Sequence, residues 1–261
     1  MGAEQRVLVT RPHGQADSLL EGLRSDGWTA LHLPLIAIEE IDPLPGEVRQ
    51  RILDLDLYAH VIFVSANAAS IGASKIDDLW PQWPVRQRYW AVGKSTAAVL
   101  SKAGLRAESP EQNMSSEGLL AMKGLQAIDG ERCLLVRGEG GRTLIAETLR
   151  ERGARVDELP CYRRVAVSYP PEEVNRLLGD ELPELLLVSS GEGLELLSRL
   201  LRSRERTNLT DTTLFVPSLR VARRAHTLGW ERVETVENAS DAAMRAAAKR
   251  WLERRPGEIQ H

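Results

Sequence analysis

Six short stretches combine small, hydroxylated and cationic residues where an apolar run gives way to an amphipathic one. They are Thr10-Arg11, Ser65-Ala66-Asn67, Gly93-Lys94-Ser95-Thr96, Arg137-Gly138, Ser189-Ser190-Gly191 and Pro217-Ser218. Turns from strand to helix present backbone N–H groups and the positive end of a helix dipole, which suits carboxylates or phosphates. In open parallel sheets ligands bind beyond the carboxyl ends of the strands, where such turns lie. Each turn alone is also an ordinary helix start, because Ser, Thr and Asn are preferred N-caps. Their number carries the argument: the six would fall three to each of two lobes and face each other across a cleft. Tyr162 stands apart, on a strand-like segment beside that expected cleft, where simple packing is an equal reading.

Other chemistries lack their residues. There is no GxGxxG after a strand, no glycine-rich phosphate loop ending in Gly-Lys, and no GxSxG nucleophile elbow. His13, His32, His60, His226 and His261 share no ligand spacing, so no metal site is expected. GEGG at 138–141 reads as a flexible strand-to-helix turn. Cys133 and Cys161 have no metal-ligand spacing and read as buried, reduced thiols. The basic run AAMRAAAKRWLERR near the end reads as a solvated helix face, and a formal net charge of −3 disfavours a nucleic-acid partner. No apolar run is long enough to span a membrane, and MGAEQRVLVTR has no secretory pattern. A cytoplasmic location is therefore expected.

The elements that position these turns come from a duplication. Shifting residues 6–35 by 126 positions lays them without a gap over 132–161, matching Arg6 to Arg132, Arg11 to Arg137, Arg24 to Arg150, Gly27 to Gly153 and Pro34 to Pro160. Each copy reads as strand, turn, amphipathic helix and strand. Further apolar strand patterns end at Ser65, Val92, Val188 and Val216, each followed by a helical pattern. The expected fold class is α/β: two similar lobes, each a five-stranded parallel sheet with helices on both faces. In 261 residues, two lobes are each large enough to bury a core. Segments 34–43 and 160–170 are both strand-like, flanked by Pro and equivalent in the repeat. If the first βαβ units are exchanged between lobes, these segments pair as a two-stranded connector. One lobe is then residues 1–36 with 168–261, and the other is 40–165.

An ordered set of motifs resembles the uroporphyrinogen-III synthase family: VLVTRP at the start, VIFVSANAA, AVGKSTAAVL followed by Gly104, SSEGLL, VRG with GARV, and CYRR. The resemblance runs from about residue 6 to 250 and implies two α/β lobes in exchanged arrangement. It implies a cofactor-free lyase that closes the linear tetrapyrrole hydroxymethylbilane to uroporphyrinogen III, inverting the last ring through a spiro intermediate. A substrate with eight carboxylates matches the turns. The proposed catalytic residue by this resemblance is Tyr162, assisting departure of the terminal hydroxyl. Thr96 and Ser218 match positions where the family places hydroxyls. The binding set is thus Thr10, Arg11, Ser65, Ala66, Asn67, Thr96, Arg137, Gly138, Ser189, Ser190, Gly191 and Ser218. Two departures stand out: Phe63-Val64-Ser65 replaces the family's FTS, and Val216-Pro217-Ser218-Leu219-Arg220 replaces GPTTA, removing one hydroxyl. A monomer acting on a small molecule is expected. The alternatives are a two-lobed small-anion binding protein and a nucleotide-sugar transferase; the latter usually carries an acidic metal motif.

Overall fold

A computed structural model describes residues 5–179, 181–202 and 211–254; His261 lies outside them. The Cα framework divides into two compact units, residues 1–37 with 165–261 and residues 38–164.

In chain order the strands are β1 (Arg6–Val9), β2 (Thr29–His32), β3 (Ile36–Glu40), β4 (His60–Phe63), β5 (Arg88–Ala91), β6 (Arg132–Gly138), β7 (Arg155–Ala166), β8 (Leu185–Leu187), β9 (Thr213–Val216) and β10 (Val233–Thr235). The helices are α1 (Asp17–Ser25), α2 (Gly46–Leu53), α3 (Ala66–Asp77), α4 (Lys94–Lys102), α5 (Ser116–Leu120), α6 (Leu144–Glu151), α7 (Pro171–Leu178), α8 (Gly191–Arg202), α9 (Leu219–Thr227) and α10 (Asp241–Arg254).

The first unit holds a sheet of order β10-β9-β8-β1-β2, parallel at every pairing. Its central strands β1, β8 and β9 are apolar on both faces, and their alternate residues enter opposite layers. Leu8 and Leu186 face α7, α8 and α9. Val7, Val9, Leu185 and Leu187 face α1 and α10. The central strands are fully buried, as a sheet covered by helices on both sides requires.

The second unit follows the same rule in a sheet of order β3-β7-β6-β4-β5. Val61, Phe63, Leu134 and Val136 face α2, α3 and α4. Ile62, Cys133 and Leu135 face α5 and α6. Here one expectation is corrected: this sheet is not wholly parallel. Strands β4, β5, β6 and β7 are parallel, but β3 runs against β7. The Ile41 N–H donates to Cys161 O, the Val167 N–H to Leu35 O, each at 3.0 Å, and Arg163 Nε to Glu39 at 3.2 Å. The partners advance in opposite directions, which only antiparallel pairing produces. The cause is chain continuity. Segment 161–166 does not begin a new strand but prolongs β7, so β3 joins the sheet as an edge.

The duplication persists as shared hydrogen bonds. Arg24 donates to Ala30 O at 3.4 Å, and its counterpart Arg150 donates to Val156 O at 3.2 Å. Gly27 and Gly153 close α1 and α6 in the left-handed region, with φ of 90° and 85°, a conformation that favours glycine after a helix.

Candidate active site

Four of the six expected turns, at Ser65, Gly93, Ser189-Ser190 and Pro217-Ser218, lead directly from a strand end into a helix, whereas Thr10-Arg11 and Arg137-Gly138 lie at the ends of β1 and β6 several residues ahead of α1 and α6. In the second unit, Ser65 is the N-cap of α3, and its Oγ accepts the Ala68 N–H at 3.1 Å. Its backbone is extended, which lets the side chain fold back over the first helical turn. Ala66 and Asn67 form that turn. Gly93 caps α4 without a side chain, and Thr96 is buried within the first turn of that helix.

Beside Ser65, β6 ends in Arg137-Gly138 and meets Tyr162 of β7 across a register shift. Irregular pairing of this kind re-aims a side chain at the strand end. The Tyr162 O accepts the Glu139 N–H at 2.7 Å, which pins the shift, and the phenol ring then lies against Gly138. A Cβ at residue 138 would stand 2.6 Å from the ring carbon Cζ, so glycine is required for this approach. The Tyr162 hydroxyl is 3.1 Å from Ser65 Oγ. These residues line a cavity of about 220 Å³ together with Arg137, Arg142 and Arg164. It lies at the carboxyl ends of β4 and β6, where the sheet rule places a ligand.

Arg11 and Arg137, matched to each other by the repeat, are both held by groups of their own unit. Arg137 donates to Glu158 at 2.9 Å and to Gly138 O at 3.2 Å, and it also reaches Gly140 O. In the first unit, Arg11 donates to Ser189 Oγ at 2.9 Å and pairs with Asp241 and Ala239 O. The Thr10 hydroxyl is buried and donates to Leu187 O at 3.0 Å. Ser190 Oγ accepts the Gly193 N–H at 3.0 Å, just ahead of Gly191 and α8. Ser218 caps α9, accepting the Val221 N–H at 3.4 Å.

The structure therefore brings together Ser65, Arg137, Gly138 and Tyr162 within one unit, and Thr10, Arg11 and Ser189 within the other. Ser116, Arg142 and Arg164 also line the cavity and were not singled out from sequence. The signals were present, since Arg142 directly follows the glycine-rich turn and Arg164 closes CYRR. The Cys161 thiol next to Tyr162 is buried, and burial pushes it up to about 12, as it does Cys133. Neither sulfur is ionised enough near neutrality to act as a nucleophile. Among the described residues, no His, Cys, Asp and Glu group could hold a metal ion, and no helix is long and apolar enough to cross a membrane.

The family model for uroporphyrinogen-III synthase HemD matches residues 4–246. Uroporphyrinogen-III synthase of Escherichia coli strain K12 is 35% identical over 244 residues, covering 92% of this chain and 98% of the relative. The Salmonella typhimurium strain LT2 enzyme is 35% identical over 243 residues with the same coverage. The fold is similar to the crystal structure of uroporphyrinogen-III synthetase from Helicobacter pylori 26695, with a TM-score of 0.61 at 15% identity, covering 94% of this chain and 98% of that one. A mutant synthase from the extremely thermophilic bacterium Thermus thermophilus gives a TM-score of 0.56 at 18% identity, covering 95% and 99%. With the family matched from strand β1 into helix α10, and with its motifs placed at the strand ends that line the cavity, this chain belongs to the uroporphyrinogen-III synthase family.

Proposed function

We propose that the chain converts hydroxymethylbilane to uroporphyrinogen III, a reaction of haem biosynthesis, with the pair Ser65 and Tyr162 at its chemical centre. The observation that carries this reading is the tyrosine hydroxyl 3.1 Å from the serine oxygen in a cavity at the strand ends, within a chain matched by the family over residues 4–246.

The Ser65 oxygen already accepts the Ala68 N–H. Its own proton is thus available to the Tyr162 oxygen, and that bond turns the phenol proton toward bound substrate. Tyr162 protonates the departing terminal hydroxyl, which leaves as water and gives a cationic azafulvene. The substituted carbon of the last ring then attacks the exocyclic carbon, forming the spiro intermediate. Bond migration and ring closure follow, and loss of a ring proton restores the pyrrole and balances the proton donated at the start. The chain supplies mainly orientation, by holding the bilane folded so that the substituted carbon lies within reach. No cofactor takes part in these steps.

Carboxylates of the substrate are proposed to meet the helix starts at Ser65-Ala66-Asn67, Thr96, Ser189-Ser190-Gly191 and Ser218. Thr10, Arg11 and Arg137 hold the intervening turns in shape, because their side chains are bonded to Leu187 O, Ser189 and Glu158, while Gly138 leaves room for the Tyr162 ring. The paired strands β3 and β7 serve as the connector where the chain passes between units, and the enzyme works as a cytoplasmic monomer. The deciding assay supplies hydroxymethylbilane and separates the cyclised isomers. Isomer III in excess over the spontaneous, non-inverted isomer I is the expected result. Isomer I alone, at the uncatalysed rate, overturns the assignment.

A further inference from the structure

Three arginines line the Tyr162 cavity, and their attachments differ. Arg137 is almost wholly buried and its guanidinium is bonded to Glu158, Gly138 O and Gly140 O. With its donors turned inward, it builds the wall. Arg142 stands at the other end of the same glycine-rich turn, 76% exposed. Its ion pair is with Glu117 at 3.9 Å, near the limit for such a contact, and Glu117 is itself 57% exposed. An ion pair that long between exposed groups contributes little and exchanges easily for another anion.

Glu117 is also held from its own side. Its carboxyl lies below the usual carboxylate range because it accepts its own backbone N–H and a bond from Ser115, with Arg142 adding a weaker attraction. It therefore stays ionised and stays at the start of α5, where Ser116 lines the same cavity. The geometry is that of a cation facing a cavity, steadied by an internal carboxylate that bonds it only loosely.

We propose that Arg142 binds one carboxylate of the substrate, and that Glu117 occupies its place on Arg142 until substrate arrives. This deepens the proposed function and rests on it. The bilane carries acetate and propionate groups on each ring, so a ring brought to Tyr162 brings carboxylates with it. A planar guanidinium engages a carboxylate through two parallel N–H bonds, fixing direction as well as distance. Seating one carboxylate at Arg142 orients the ring whose hydroxyl departs beside Tyr162. Arg142 is thus a binding and positioning residue with no part in bond making, and its loss acts on the Michaelis complex.

The test measures steady-state kinetics with hydroxymethylbilane for the wild type, Arg142→Met, Arg142→Lys and Glu117→Gln, following isomer III. Arg142→Met raises KM roughly tenfold, the scale of one partly exposed charge-assisted bond, with kcat changed less than about threefold. Arg142→Lys recovers part of the loss, since the charge returns without the fork. Glu117→Gln lowers KM, because the competing carboxylate is gone. An unchanged KM in Arg142→Met, or a fall confined to kcat, overturns the inference. If Arg142→Met does not fold, Glu117→Gln decides: a lower KM supports the displacement, and an unchanged or higher KM overturns it. Should the wild type itself make no isomer III, the functional assignment fails instead, and the two failures are distinguished.

Discussion

Tyr162 owes its placement to neighbours that are small or local. Gly138 makes room for its ring, the Glu139 N–H fixes its carbonyl, and Ser65 faces its hydroxyl. Replacing Tyr162 by Phe keeps the ring and removes the proton donor. Turnover should fall on the order of 100-fold, in the range of general acid contributions, while KM and thermal stability change little. A wild-type rate would reduce Tyr162 to a packing residue. The residue types at this site were legible in the sequence, but their partners were not. Arg11 and Arg137 were readable as cations at turns, yet nothing local announced that Asp241, 230 positions away, would hold Arg11. Likewise nothing local marks Arg142, which follows the glycine-rich turn at 138–141, because its approach to the cavity depends on how α5 and α6 pack.

At the level of elements, the apolar runs and the repeat foretold strands, helices and their alternation. The physical reason is that strands covered on both faces must be continuously apolar, whatever their partners. Pairing direction is set by chain geometry instead, so the antiparallel edge β3 and the single long β7 were out of reach. The two repeat copies also differ in a way only packing reveals. Gly27 has open space around its missing side chain, whereas a Cβ on Gly153 would lie 1.9 Å from the Asp129 carboxylate. Both positions have positive φ, so alanine at either costs about 1–2 kcal/mol in backbone strain. Gly153→Ala must in addition displace Asp129 at the turn ahead of β6. Urea unfolding should show Gly153→Ala destabilised more than Gly27→Ala by about 1 kcal/mol or more, the scale of a core overpacking change. Equal losses would mean that Asp129 swings away freely.

On the scale of the whole chain, one compact unit is continuous in sequence and the other is interrupted by it. The interruption begins and ends at paired backbone, since the Val167 N–H donates to Leu35 O at 3.0 Å. The cut ends of the first unit are therefore near enough for a short turn to join them. A variant in which residues 38–164 are replaced by a short Gly-Asn turn should fold cooperatively, because its sheet and both helical layers contain no residue of the excised piece. It should show a sigmoidal urea transition by circular dichroism and form no isomer III. A gradual, non-cooperative transition would show that this unit depends on the other for its fold.

The same interruption sets a timetable for synthesis. Strand β1 is an interior strand whose neighbours are β2 and β8, and β8 begins only at Leu185. As the chain leaves the ribosome, β1, α1 and β2 emerge ahead of β8 and cannot complete their sheet. Residues 38–164 carry all but the edge of their own sheet in one uninterrupted run, so they can fold as soon as β7 has emerged. Strand β1 and helix α1 are then made before residues 38–164 and buried after them. During that interval the apolar faces of β1 and α1 are open to solvent, which makes this segment the one most in need of chaperone protection.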